Sequence, residues 1–177
     1  MSVIHPATTA ADSIAQAHTP RFPVGAGILL GLGLGGFFDG IVLHQLFQWH
    51  HMLSSAGFSA DDVHDLKVNT LADGLFHAST YVFVVWGLCW LWRVARRPHF
   101  LWSAPVLLAT VLMGFGIFNV VEGLVDHHLL GIHHVNETVP KDQWIYWDVG
   151  FLLWGAAMLA GGWVWMRRCL RREPAPS

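Results

Sequence analysis

The sequence contains little charge. Asp, Glu, Lys and Arg make up 12% of its 177 residues, whereas a soluble globular protein has roughly 25%. Hydrophobic residues make up 54%, and the mean hydropathy is +0.45. This balance predicts that the lipid bilayer is the main environment of the chain, and no nucleic-acid partner is expected.

Cysteine is also scarce. Cys89 and Cys169 form no C-x-x-C pair, and both are far in sequence from the clusters of histidine. We therefore expect neither a disulfide framework nor a zinc site rich in thiolates. Residues 1–20 lack the basic start, apolar run and small-residue cleavage site of a signal peptide. We interpret them as a disordered cytoplasmic tail, and residues 173–177 as a second cytoplasmic tail.

Four long apolar stretches occupy most of the remaining chain. They run from about residue 24 to 49, 70 to 92, 102 to 130 and 144 to 166. Each is long enough to cross a bilayer as a helix, which takes about 20 residues. None alternates polar and apolar residues as the strands of a membrane barrel do. The predicted fold is an all-α bundle of four transmembrane helices that forms one membrane domain, residues 21–172.

The basic residues predict how the bundle is oriented. The arginines follow the second and fourth stretches and precede the first: Arg93, Arg96, Arg97, Arg167, Arg168, Arg171, Arg172 and Arg21. Of Lys and Arg, the other two connections contain only Lys67 and Lys141. Loops rich in Lys and Arg stay on the cytoplasmic side. Both termini are therefore expected in the cytoplasm. The two histidine-rich connections are expected on the outer face, which is the periplasmic face of a bacterial inner membrane.

The chain also contains an internal repeat. Residues of the first and third stretches match at a separation of 83: Asp39 with Glu122, His44 with His127, and His50-His51 with His133-His134. The second and fourth stretches match more weakly at a separation of 75, where Asp73 pairs with Asp148. The repeat predicts two tandem helical hairpins of the same orientation, related by a pseudo-two-fold axis along the membrane normal.

The polar residues of the repeat predict a site inside the bundle. At about 100° per residue, the glycines, carboxylates and histidines of the first and third helices fall on one broad face, although His44 lies about 140° from Asp39. Carboxylates within lipid are costly and face a partner or a cavity. The primary candidates are Asp39, His44, Asp73, His77, Glu122, His127 and Asp148. The secondary candidates are His50, His51, Asp126, His133 and His134, where anchoring at the membrane surface competes evenly with ligation for the double histidines.

Imidazole and carboxylate groups without thiolate suit zinc, iron, manganese or copper. The predicted outer location slightly favours copper over zinc or iron. The leading interpretation is a membrane metalloprotein, either a metal-dependent oxidoreductase or a subunit of one, that works with other membrane subunits or a periplasmic redox or metal partner. One alternative is transport of metal ions or protons. Another is a structural or assembly subunit whose histidines and carboxylates only bond to each other.

Four segments carry a resemblance to a known family. They are residues 35–45 (GGFFDGIVLHQ), 49–53 (WHHML), 69–77 (NTLADGLFH) and 119–134 (NVVEGLVDHHLLGIHH). In these segments the chain resembles an uncharacterised family of four-pass bacterial membrane proteins, one of the families built on a domain of unknown function. The resemblance implies the four-helix architecture and no particular chemistry.

Overall fold

The computed structural model describes residues 22–98 and 100–172, so the predicted tails, 1–20 and 173–177, lie outside the described residues. Its four long helices are α1 (Val24–Leu46), α2 (Val63–Ala95), α3 (Ala104–Leu129) and α4 (Trp144–Arg172), and a 3-10 turn precedes α4. Each is long and apolar enough to cross a membrane. Within the described ranges the chain contains no strand. The predicted all-α bundle of four membrane helices is confirmed.

The ends of the helices differ from the predicted bounds for local reasons. Helix α2 begins earlier than expected because the side chain of Asp62 caps it by accepting hydrogen bonds from the main-chain N–H groups of His64 and Asp65. Helix α4 continues to Arg172, and Arg167, Arg168 and Arg171 near its end suit the negative end of the helix dipole. Helix α1 ends at Leu46, three residues before the predicted end at residue 49.

Helices α1 and α3 form the centre of the bundle, with α2 packed on α1 and α4 packed on α3. The central pair crosses at Gly31 and Gly114. A methyl group on Gly31 would overlap the carbonyl oxygen of Val111 and would lie 2.7 Å from the Cα atom of Gly114. A methyl group on Gly114 would lie 2.8 Å from the Cα atom of Gly31. Glycine is thus required on both sides of this contact, as at other close crossings of membrane helices.

The outer helices approach the central ones through a second pair of matched glycines. A Cβ atom on Gly33 would lie 2.8 Å from the carbonyl oxygen of Thr80 in α2, and one on Gly116 would lie 2.6 Å from that of Gly155 in α4. The predicted glycine-rich faces therefore lie within the bundle. The pseudo-two-fold axis itself stays a prediction.

The central crossing can be tested with a matched glycine on the lipid side. We expect Gly31→Ala to lower the thermal stability of the protein in detergent, because its methyl group meets main-chain atoms that cannot move aside; overpacking of this kind costs about 1–3 kcal/mol. Gly161 in α4 has open space where an added methyl group would lie, so Gly161→Ala is expected to leave stability unchanged or raised. Equal melting temperatures for both variants would contradict the close crossing.

Candidate metal centre

The polar residues gather at the end of the bundle where α1 and α3 finish, which we term the histidine end. There both helices are wound as π-helix, over Asp39–Leu46 and Gly123–Leu129. A π-helix bonds residue i to residue i+5 and so brings residues five apart onto one face. In an α-helix the same residues would lie about 140° apart. The regular helical wheel drawn from the sequence is therefore wrong at this end of both helices.

The π-helical winding pairs each carboxylate with a histidine five residues later. In α1 an oxygen of Asp39 lies 3.0 Å from Nε2 of His44, and in α3 an oxygen of Glu122 lies 2.7 Å from Nε2 of His127. All four side chains are buried. The two helices thus present the same pair of groups to the middle of the bundle.

After each π segment the chain reverses through one residue of left-handed conformation. These residues are Gln48, with a φ of 53°, and Gly131, with a φ of 59°. The reversal directs the next histidine back into the bundle, so that His50 and His133 are buried at 3% and 0% exposure. Both were secondary candidates predicted near the membrane surface, just beyond helices expected to end at about residues 49 and 130. The structure instead places both rings at the middle of the polar cluster.

Each of these two rings is held by the opposite half of the chain. Nδ1 of His50 lies 2.9 Å from the carbonyl oxygen of Val135, and Nδ1 of His133 lies 3.1 Å from that of Met52. Since a carbonyl only accepts, Nδ1 of each imidazole carries a proton. Nε2 of His50 has no hydrogen-bond partner and carries the lone pair when the ring is neutral, whereas Nε2 of His133 lies 2.9 Å from an oxygen of Glu122. These two hydrogen bonds also join the connection after α1 to the connection after α3.

Asp73 holds the polar residues of the first half together. Its Oδ1 atom accepts from Nδ1 of His44 at 2.9 Å and from the main-chain N–H of Met52 at 2.9 Å. Its Oδ2 atom accepts from Nδ1 of His51 at 2.8 Å. One carboxylate of α2 thereby fixes a ring of α1 and the connection that follows it.

Asp148 has the same contacts in the second half. It accepts from the main-chain N–H of Val135 at 3.0 Å and from Nδ1 of His134 at 2.7 Å. Its Oδ1 atom lies 3.6 Å from Nδ1 of His127, slightly beyond a hydrogen bond. The carboxylates of α2 and α4 therefore orient histidines, whereas those of α1 and α3 point into the cluster.

Six groups surround the centre of the cluster, three from each half: Asp39, His44, His50, Glu122, His127 and His133. Two overlapping sets have ligand atoms within 4.8 Å of one another, namely His44 with His50 and His133, and Glu122 with His127 and His133. Several inward atoms are buried without a hydrogen-bond partner, among them Nε2 of His50, Oδ1 of Asp39 and Oε2 of Glu122. Buried polar atoms without partners are rare and require an explanation.

The two connecting histidines differ in their electrostatics. Desolvation holds the pKa of His50 well below its ordinary value, and the neighbouring His133 and His44 lower it further, so that this ring is neutral at pH 7. Desolvation also opposes protonation of His133, but the hydrogen bond to Glu122 outweighs it and raises the pKa of this ring. A positive charge is thus favoured beside the Glu122 carboxylate.

The structure brings together most of the predicted residues. Six of the seven primary candidates belong to the cluster and form two groups, one in each half: Asp39, His44 and Asp73, and Glu122, His127 and Asp148. His77 lies apart, with its Nε2 atom buried without a partner against Gly40. Of the secondary candidates, His50 and His133 belong to the centre, His51 and His134 bond to the orienting carboxylates, and half-buried Asp126 makes no side-chain hydrogen bond within the described residues.

Sequence reasoning missed the main-chain groups of Met52 and Val135, which bond to both an orienting carboxylate and a central histidine. Their side chains have no shared chemistry, and main-chain groups leave no trace in a sequence. Their separation of 83 residues, equal to that of the repeat, was the available signal.

Fold and site together define a class: a four-helix membrane protein with a buried histidine–carboxylate cluster built from two similar halves. The chain belongs to the family described as "Predicted membrane protein (DUF2243)", which its residues 26–169 match. No curated protein and no solved structure matches the chain. Membership of this family supports the membrane location and brings no activity with it.

The left-handed positions before His50 and His133 can be tested through backbone strain alone. A side chain at Gly131 would meet nothing within 4 Å, so we expect Gly131→Val to lower stability only through its left-handed φ, by about 1–2 kcal/mol. The matched variant Gln48→Gly removes such strain and is expected to maintain or raise stability. Thermal unfolding in detergent measures both. A Gly131→Val variant as stable as the parent would contradict the reversal.

Proposed function

We propose that the protein binds metal at the histidine end of the bundle, with Asp39, His44, His50, Glu122, His127 and His133 as the ligands. The observation that carries the proposal is the division of the imidazole nitrogens. The Nδ1 atoms of the central histidines face outward to carbonyl or carboxylate oxygens, and their Nε2 atoms face inward. Histidines that bind metal are held in this way, because the outward bond fixes the ring and its tautomer.

The donor set also fits a metal chemically. Neutral imidazole nitrogen and carboxylate oxygen bind zinc, iron and copper, and copper forms the most stable complexes among the divalent ions of its series. Positive charge would pair with the inward carboxylates Asp39 and Glu122, whose remaining oxygens are buried without partners. We therefore retain copper as the favoured ion.

The basic residues support an outer location for this site. Arg93 in the last turn of α2 and Arg167 and Arg168 near the end of α4 lie at the opposite end of the bundle from the histidines. Under the positive-inside rule that end faces the cytoplasm. The metal would then be acquired on the outer side, and a redox enzyme, or a subunit of one, is the function that best uses a copper centre there.

A structural role is the second candidate, and the hydrogen bonds between histidine and carboxylate favour it. Such pairs satisfy buried charges and fix the register of helices without any metal. They account for the Nδ1 contacts of His44, His51 and His134. They do not account for Nε2 of His50, which has a lone pair and no donor facing it.

The metal proposal is tested by measuring metal per chain in the purified protein after separate supply of copper, iron and zinc. We expect a stoichiometric ion in the parent and its loss in the double variant His44→Ala, His127→Ala. The control is His128→Ala, which removes the exposed neighbour of His127 and is expected to retain the metal.

Two results would count against this proposal. Absence of stoichiometric metal from the parent with all three ions would overturn it. Lower thermal stability of the double variant, together with unchanged metal content, would leave the histidines with a structural role only. If metal binds but is redox-silent, and ions cross the membrane of liposomes containing the protein, transport replaces the redox function.

The orienting carboxylates give a finer test. Asp73→Asn replaces one of the two oxygens that hold His44 and His51 with an amide nitrogen, which donates and cannot accept. We expect metal affinity to fall about 10–100-fold, as for other residues that orient metal ligands. Asp142→Asn alters an exposed acid before α4 and serves as the control. A competitive chelator titration measures both, and equal affinities would contradict an orienting role for Asp73.

A further inference from the structure

The rings of His50 and His133 lie parallel to each other at the middle of the cluster. Their centroids are 4.6 Å apart, and their planes differ by 3°. Parallel rings with centroids this close lie face to face, because two coplanar rings would collide at their edges. Contacting carbon atoms set the separation of the two planes at about 3.5 Å or more.

This stacking restricts how the two rings bind metal. An imidazole nitrogen binds an ion in the plane of its ring, since the lone pair lies in that plane. An ion shared by both rings would lie about 1.8 Å outside each plane, half of the stacking distance. With a metal–nitrogen bond of about 2.0–2.1 Å, each bond would leave its ring plane by roughly 60°. His50 and His133 therefore suit separate ions, although their nitrogens are close enough to form one set.

The remaining ligands divide in the same way. Asp39 and His44 are in contact with each other, and the ring centroids of His50 and His44 are 4.3 Å apart. In the second half His127 and His133 both lie within 3.0 Å of one oxygen of Glu122, at 2.7 and 2.9 Å. Each half of the repeat thus supplies one carboxylate and two imidazoles.

Charge favours two ions as well. Four buried carboxylates belong to the cluster: Asp39, Asp73, Glu122 and Asp148. Residues that bind a metal are deprotonated, so the metal-bound cluster would contain four carboxylates and neutral imidazoles. Two divalent cations would balance its four negative charges, and one would not. Charge left unbalanced within a membrane domain is costly.

We propose that the centre holds two adjacent divalent metal ions, one bound by Asp39, His44 and His50 and the other by Glu122, His127 and His133. This rests on the proposed function and deepens it from metal binding to a two-metal centre. Paired ions of this kind lie about 3.5–4 Å apart in other proteins. A pair can exchange two electrons with one substrate or hold a small oxygen-containing ligand between its members.

The test uses the full chain in detergent, loaded with Cu²⁺ and freed of excess ion. We expect two copper ions per chain by elemental analysis. We also expect an electron paramagnetic resonance signal much weaker than two isolated ions would give, because adjacent Cu²⁺ ions couple. His50→Ala and His133→Ala each remove a ligand of one ion, so each is expected to retain one copper with a full uncoupled signal. The control His128→Ala is expected to match the parent.

The outcomes separate this inference from the proposed function. One copper per parent chain, with the signal of one isolated ion, would overturn the two-metal centre and leave metal binding intact. Two coppers with two full uncoupled signals would overturn their adjacency. Absence of copper, iron and zinc from the parent would overturn both proposals. The decisive measurement is made on the parent, so the result does not depend on whether the variants fold.

Discussion

The structure depends on the pairing of carboxylate with imidazole inside a membrane domain. A carboxylate there has no water to solvate it and must find a donor or a cation. Asp73 and Asp148 each accept from a main-chain N–H and from a histidine of the connection that follows the neighbouring helix. Each outer helix is thus bonded to the turn beyond a central helix. Because these bonds are strong in a low-dielectric interior, they fix the depth at which the helices meet as well as the positions of the rings.

Helices α1 and α3 depart from regular α-helix at their polar end and nowhere else along their length. The apolar parts of both helices are regular α-helix, and their glycines allow a central crossing in which main chain touches main chain. The π segments begin at or directly after the carboxylates Asp39 and Glu122, and a left-handed residue comes two positions after each segment ends. Both departures have the same effect. Side chains that a regular helix would direct elsewhere are directed to the middle of the bundle. Irregular backbone maintained in both halves indicates that the positions of these rings matter.

The sequence predicted the four helices well, because the length of an apolar stretch depends little on detail. It predicted that Asp39, His44, Glu122 and His127 face the inside of the bundle, because the repeat identified them without a structure. It did not predict that each carboxylate meets the histidine five residues later, because that pairing depends on the π-helical winding. It named His50 and His133 only as secondary candidates near the membrane surface and missed their central position. Their positions depend on a helix that ends three residues before Trp49 and on a left-handed residue, Gln48, whose side chain gives no sign of that conformation. Helix ends are where a periodic pattern carries least information, and here two buried rings follow them.

The repeat itself contained more information than the helical pattern did. His77 has Leu152 as its counterpart at a separation of 75, and Asp126 has Leu43 at a separation of 83. These unmatched candidates are the two that the structure leaves outside the cluster, whereas the matched pair His50 and His133 lies at its centre. A site formed where two similar halves meet takes its ligands from both, so a group present in one half alone has no equivalent position to fill. The presence of a counterpart in the other half therefore identifies the residues of the cluster better than their chemical type or their expected depth does. It also makes an even division of ligands between the halves the natural arrangement for a metal centre.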